Sequence, residues 1–167
     1  MKIKPASTND ARVWVVEIKH KLGPVLVVQR ADGSLVTSMF IGKRKASAIA
    51  RQWQLKWPKL SWQSGKPPKV VDMKTGTPFG TDFQLAVWAK AAAIPKGTIL
   101  SYQDIARAIG KPKAMRAVGT AMKACPLYPF IPCHRVVGAN GTLGGYGSDV
   151  ATKRALLKAE GIILSEK

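Results

Sequence analysis

Residues 131–137 read Ile-Pro-Cys-His-Arg-Val-Val, which sets Cys133 directly against His134. The chain has only two cysteines and two histidines. A thiolate is the nucleophilic form of cysteine, and a free thiol is mostly protonated at neutral pH, so it needs a base or a positive charge beside it. His134 and Arg135 are at hand. Successive side chains of an extended strand point to opposite faces. His134 therefore reaches Cys133 only if the backbone turns there or a water bridges them. Pro132 fixes its own φ and biases Ile131 toward extended geometry. A buried imidazole also needs its second nitrogen satisfied, and Glu160, downstream, supplies a carboxylate for that. Carboxylate, imidazole, water and thiol in that order follow the logic of a catalytic triad. For an isolated Cys-His pair the plainer reading is a structural cysteine beside a core-edge histidine.

The elements that must position these groups are legible around them. Thr81-Asp82-Phe83-Gln84 and Ser101-Tyr102-Gln103-Asp104 are capping boxes, each opening a helix. The first helix carries Phe83, Val87, Trp88 and Ala91 on one face and ends near Pro95. The second runs through Ile105 and Ile109 to Gly110. After the turn Lys-Pro-Lys comes a third helix, 114–124, so the pair reads as a helix-turn-helix. That third helix has Arg116, Thr120 and Lys123 but no Asn or Gln, the amides that usually read the major groove. Its small residues either bring the backbone close to a shallow groove or pack on neighbouring helices. Residues 138–147 hold five glycines around Tyr146, a loop able to approach a ligand. A closing helix spans 149–161, with Gly161 as its cap.

The first part has another character. Stretches 12–21, 23–30 and 34–40 are rich in β-branched residues, with Asp32-Gly33 as a hairpin turn. Ala46, Ile49, Ala50, Trp53 and Trp57 then repeat at helical spacing up to Pro58. This predicts a small antiparallel sheet with a helix. The Pro/Gly/Lys-rich passage 64–78 is expected to connect it to the second part, giving domains 1–75 and 76–167.

The chain has 167 residues, enough for a buried core, and its apolar runs are too short to span a bilayer. No signal-like apolar stretch opens it, and two cysteines make no disulfide framework, so a cytoplasmic protein with free thiols is expected, or a nuclear one in a eukaryote. Net charge is +18, from 27 Lys and Arg against 9 Asp and Glu. Such an excess favours a polyanionic partner, most simply nucleic acid. The charge is spread along the chain and does not itself locate a binding face.

Taken with "PCHRV", the stretches from Gly76 to Lys123 and from Ile131 to Gly161 resemble the O6-alkylguanine-DNA alkyltransferases, or methylated-DNA–protein-cysteine methyltransferases. The likeness is continuous over about residues 76–161; the N-terminal part is similar only in pattern, to an RNase H-like sheet and helix. The resemblance implies an α+β fold with a winged helix-turn-helix-like C-terminal domain. It implies that Cys133 accepts an alkyl group from O6 of guanine, with O4-alkylthymine as a further substrate, in a single turnover without cofactor or metal. His134 and Glu160 would form the water-mediated relay that makes a thiolate, and Tyr102 would assist the leaving base. Arg116 would enter the base stack as the target flips out of duplex DNA bound through the minor groove. Ala117, Thr120, Lys123, Ser101 and Arg135 would meet the DNA. Tyr146, Val136, Gly147, Met122 and Cys125 would border the base. A monomer is expected.

Three departures stand out. Cys125 occupies the position, eight residues before the acceptor, where the family usually has a hinge Asn, and a thiol cannot make an amide's paired hydrogen bonds. With no cysteine before Cys125 and His20 as the sole N-terminal histidine, the zinc site of some relatives cannot be assembled. Gly147 stands where some relatives carry Ser. The rival readings are an alkyltransferase-like lesion binder, which would lack the acceptor cysteine, a helix-turn-helix regulator, and a cysteine hydrolase.

Overall fold

The computed structural model describes residues 1–3, 11–68, 72–76, 78–143 and 150–164. It divides into two compact units, Met1–Phe79 with Pro126–Phe130, and Gly80–Cys125 with Ile131–Lys167. A break drawn by composition after residue 75 follows chain order; the compact units meet at Phe79–Gly80, and one short later segment belongs to the first.

The first unit holds strands β1 (Lys2–Ile3), β2 (Arg12–Ile18), β3 (Val25–Arg30) and β4 (Ser34–Phe40), helix α1 (Ala46–Lys56), then β5 (Ser61–Gln63) and β6 (Asp72–Gly76). β2, β3 and β4 form the antiparallel meander that their β-branched residues predict. The β3–β4 turn closes at Gly33 with φ +84°, a conformation glycine adopts without strain. Asp32 Oδ1 accepts from the Ser34 backbone N–H at 2.9 Å. The sheet is mixed, however. β5 joins β2 in parallel, and β6 joins β4 and β1 in parallel, giving the order β1-β6-β4-β3-β2-β5. The expected connection 64–78 thus contains a strand. Asp-Met-Lys-Thr-Gly has one apolar residue and no alternation, so its pairing rests on backbone hydrogen bonds that side-chain pattern does not reveal. On one sheet face Val13, Leu26, Val28 and Val36 pack against Ile49 and Trp53 of α1. Residues 126–130 lie against β4, where Ser38 N–H donates to Pro126 C=O at 2.7 Å.

The second unit holds α2 (Asp82–Ala92), β7 (Leu100–Ser101), α3 (Tyr102–Ala108), α4 (Met115–Lys123), a 3₁₀ turn (Cys133–Arg135), β8 (Val136–Val137) and α5 (Val150–Lys158). Both capping boxes are present. Thr81 and Gln84 exchange side-chain and backbone bonds at the start of α2, as do Ser101 and Asp104 at the start of α3. Trp88 is buried and donates its indole N–H to Ala121 C=O at 2.8 Å, tying α2 to α4. Val87, Ala91, Ile105, Val118, Ala121, Leu156 and Leu157 fill the core around it. No helix among the described residues is long and apolar enough to cross a membrane.

Candidate active site

The backbone turns at Cys133, which resolves the difficulty of two adjacent side chains. Pro132 sits at φ −75°, ψ 58°, and Cys133 N–H donates to Ile131 C=O at 2.7 Å, an inverse γ-turn. Arg135 N–H then closes the 3₁₀ turn on Pro132 C=O at 2.9 Å. Behind the turn, β8 pairs in parallel with β7, Leu100 opposite Val136 and Ser101 opposite Val137. Ser101 caps α3 and Tyr102 begins it, so this short ladder ties the phenol's element to the cysteine's.

Glu160 is placed by the end of α5. Gly161, at φ +83°, donates to Lys158 C=O, and Ile162 N–H reaches back to Leu157 C=O at 2.9 Å. This is a Schellman closure with Glu160 as the C-cap residue. Its carboxylate, 7% exposed, lies 3.1 Å from His134 Nε2. Arg135 grips the same carboxylate with two donors, Nε to Oε2 and Nη2 to Oε1, each at 2.8 Å. The Gly97 N–H adds a fourth contact at 3.4 Å. Burial pushes the Glu160 pKa up, but the hydrogen bonds from Arg135, His134 and Gly97 together prevail and hold it down at about 2.

His134 is buried, and burial holds its pKa below the ordinary value despite the opposing pull of Glu160. The imidazole is therefore neutral at physiological pH. Nδ1, on the ring edge away from Glu160, is buried and has no hydrogen-bond partner among the described residues. Cys133 is buried as well. Burial raises its pKa strongly, and the neighbouring Cys125 thiol raises it further. A thiolate made by the imidazole neighbour is the expectation from sequence; burial and Cys125 oppose that ionisation here, and Lys153 favours it.

Sequence reasoning missed Lys153. Its side chain is completely buried, and Nζ donates to Val136 C=O at 2.6 Å and to Leu143 C=O at 2.8 Å. Burial lowers its pKa to about 8, with the Cys133 sulfur pulling the other way. It lies 6.0 Å from the centroid of the Tyr102 ring. The signal was present: Lys153 shares helical spacing with Leu156 and Leu157, a basic residue on the apolar stripe of α5.

Tyr102 is half-buried, and burial with the nearby Cys133 raises its pKa, so the phenol keeps its proton. Tyr102, Arg116, Gly119, Thr120 and Lys123 line one open cleft of about 270 Å³. Four residues picked from sequence thus meet in one place. On α4 the small residues divide between two duties: Ala121 is buried against Trp88, while Ala117 is exposed beside Arg116 and Thr120. Space beyond Gly119 is open. Met122, expected at the base, is buried in the core. The Val136 carbonyl is engaged by Lys153. Arg135, expected at DNA, has its guanidinium on Glu160 and on Ile94 C=O instead. Tyr146 and Gly147 lie outside the described residues.

A helix-turn-helix, with a buried cysteine and an acid-anchored imidazole in the 3₁₀ turn that leads into the strand paired with it, has the layout of a DNA-binding protein with a reactive-residue site beside its motif. The family model "6-O-methylguanine DNA methyltransferase, DNA binding domain" matches residues 82–162. The methylated-DNA–protein-cysteine methyltransferase of Methanosarcina acetivorans is 37% identical over 147 residues, covering 84% of this chain and 93% of that protein. The crystal structure of Mycobacterium tuberculosis O6-methylguanine methyltransferase superposes with a TM-score of 0.65 at 30% identity, over 92% of this chain and 96% of the other. The same organism's protein crystallised in complex with DNA gives 0.61 at 31%, over 89% and 92%. This chain belongs to the methylated-DNA–protein-cysteine methyltransferase family.

Proposed function

We propose that the protein repairs duplex DNA by moving an alkyl group from O6 of guanine onto Cys133, once per molecule. The observation that carries this reading is the Glu160–His134 pair behind Cys133, in the same unit as the Tyr102–Arg116 cleft. The sulfur attacks the saturated carbon; the S–C bond forms as the C–O bond breaks, and the electron pair passes into the purine. The Cys133 proton leaves toward His134 Nδ1 through a bridging water, while Glu160 holds the ring's other nitrogen and stabilises the imidazolium. Arg135 is a positioning residue that fixes Glu160. Lys153 lowers the cost of the negative sulfur as it forms, since its charge acts against the burial that keeps the thiol neutral. Tyr102, still protonated, donates to the departing base, which leaves more readily as its charge is met.

The product is a thioether, and no group among the described residues of the site can cleave it, so the protein is consumed. The exposed face of α4 fits the minor groove, with Arg116 filling the gap left by the flipped base. The protein acts as a monomer where DNA is kept, the cytoplasm or, in a eukaryote, the nucleus. A lesion binder would keep the cleft but gain no mass, and a regulator would need base-reading side chains on α4. Incubation with duplex DNA bearing O6-methylguanine, followed by intact and peptide mass measurement, tests the reading. One methyl is expected on the peptide bearing Cys133 and none on Cys133→Ala. Retardation of the DNA without added mass would leave a lesion binder instead.

A further inference from the structure

From residue 33 to residue 71 the chain has eight Lys or Arg and no Asp or Glu. The stretch lies wholly in the first unit, outside the helix-turn-helix. Six of these cations are on the surface: Lys43, Arg44, Lys45, Arg51, Lys56 and Lys59 are all exposed. They run from the turn before α1, along the helix, to the turn after it. The buried side of α1 is complete without them, through Ile49 and Trp53 in the sheet core. Arg51 stands on the opposite side of the helix. Arg44 bonds the backbone carbonyls of Phe40 and Ile41, and Lys56 lies 5.1 Å from the centre of the Trp57 ring. None of the six pairs with a carboxylate among the described residues.

This arrangement is unfavourable for the folded protein alone. Like charges repel, and three consecutive cations precede α1 with no acid in its first turn and no side-chain cap. A solvated face needs no such uniform sign, because mixed charges solubilise equally well. We infer that the α1 face of the first unit is a second contact surface for the phosphate backbone of duplex DNA. The 11-residue helix is about 16 Å long, the length of roughly five base steps along one strand. Lysines and arginines at its ends and middle meet phosphates without reading bases. Duplex DNA is the polyanion chosen because this inference rests on the repair function proposed above, whose substrate is embedded in it.

The test uses the full chain with Lys43→Gln, Lys45→Gln and Arg51→Gln combined, leaving Arg44 and Lys56 with their structural contacts. Binding to an undamaged duplex is followed by fluorescence anisotropy at several NaCl concentrations. The expected result is affinity at least tenfold weaker at low salt. The slope of log K against log salt should fall by about 2 to 3, near 0.9 per lost phosphate contact. Alkyl transfer from free O6-benzylguanine, which needs no DNA, should be unchanged. An unchanged Kd and slope overturns the inference. If the unaltered protein itself transfers nothing from free base or duplex, the repair reading fails, separately from the salt result.

Discussion

Lys153 Nζ sits 2.6 Å from the carbonyl of Val136, three residues past Cys133, with its side chain completely buried. A buried ammonium is expensive unless its donors are engaged, and two carbonyls engage this one. Its depressed pKa of about 8 marks a site where charge is held against burial, next to a thiol that burial keeps neutral.

Replacing Lys153 with Met removes that charge and keeps much of the volume. The Cys133 pKa then rises further, because the ammonium is one of the influences lowering it. Transfer from free O6-benzylguanine at pH 7.5 should slow several-fold, because less of the sulfur is ionised at that pH. Single-turnover rates across pH check this: the rising limb should move to higher pH. A profile that keeps both its position and its height would remove Lys153 from the chemistry.

Glu160 links the site to stability. Its folded pKa, about 2, lies below the ordinary carboxylate value of 4.5. A depressed carboxylate stabilises the fold above its unfolded pKa, and this contribution is lost as pH falls from about 4.5 to 2. The amount is on the order of 2 to 3 kcal/mol, allowing for the solvent that still reaches the carboxylate. Glu160→Gln should melt several degrees lower at pH 7, and the gap should close by about pH 2 to 3 in calorimetry. Equal melting curves at pH 7 would contradict the Arg135–Glu160–His134 cluster as a source of stability.

The Cys125 thiol is one of the influences that raise the Cys133 pKa. Cys125→Asn removes that sulfur and restores an amide at the hinge position. The single-turnover rate should increase several-fold at neutral pH, or the melting temperature should rise. Both quantities staying where they are would show that residue 125 neither holds the turn nor restrains the nucleophile.

Arg116 is exposed and lines the open cleft with Tyr102, apart from the buried cluster. Arg116→Ala should therefore slow repair of O6-methylguanine in duplex DNA by about 10- to 100-fold while leaving free-base transfer intact, since only duplex substrate requires extrusion at a cost of a few kcal/mol. Comparable slowing on both substrates would place Arg116 in the reaction itself.

Much of this was written locally. The two capping boxes, the hairpin at Asp32-Gly33 and the helix ending at Gly161 each depend on residues a few positions apart. Side-chain type and spacing alone state them. The excess of basic residues likewise announces a polyanionic partner before any fold is known. What only the tertiary structure decided involves distance along the chain. The β7–β8 pairing joins residues 36 apart, and strand β6 is recognised by its neighbours and not by its own pattern. The assignment of Arg135 to Glu160, 25 residues away, turned an expected DNA contact into a clamp. Burial made the same division in chemistry. A histidine beside a cysteine suggests a thiolate, yet the proton balance depends on how completely water is excluded and on which cation is enclosed with the sulfur. Those are properties of packing, and no stretch of sequence carries them by itself.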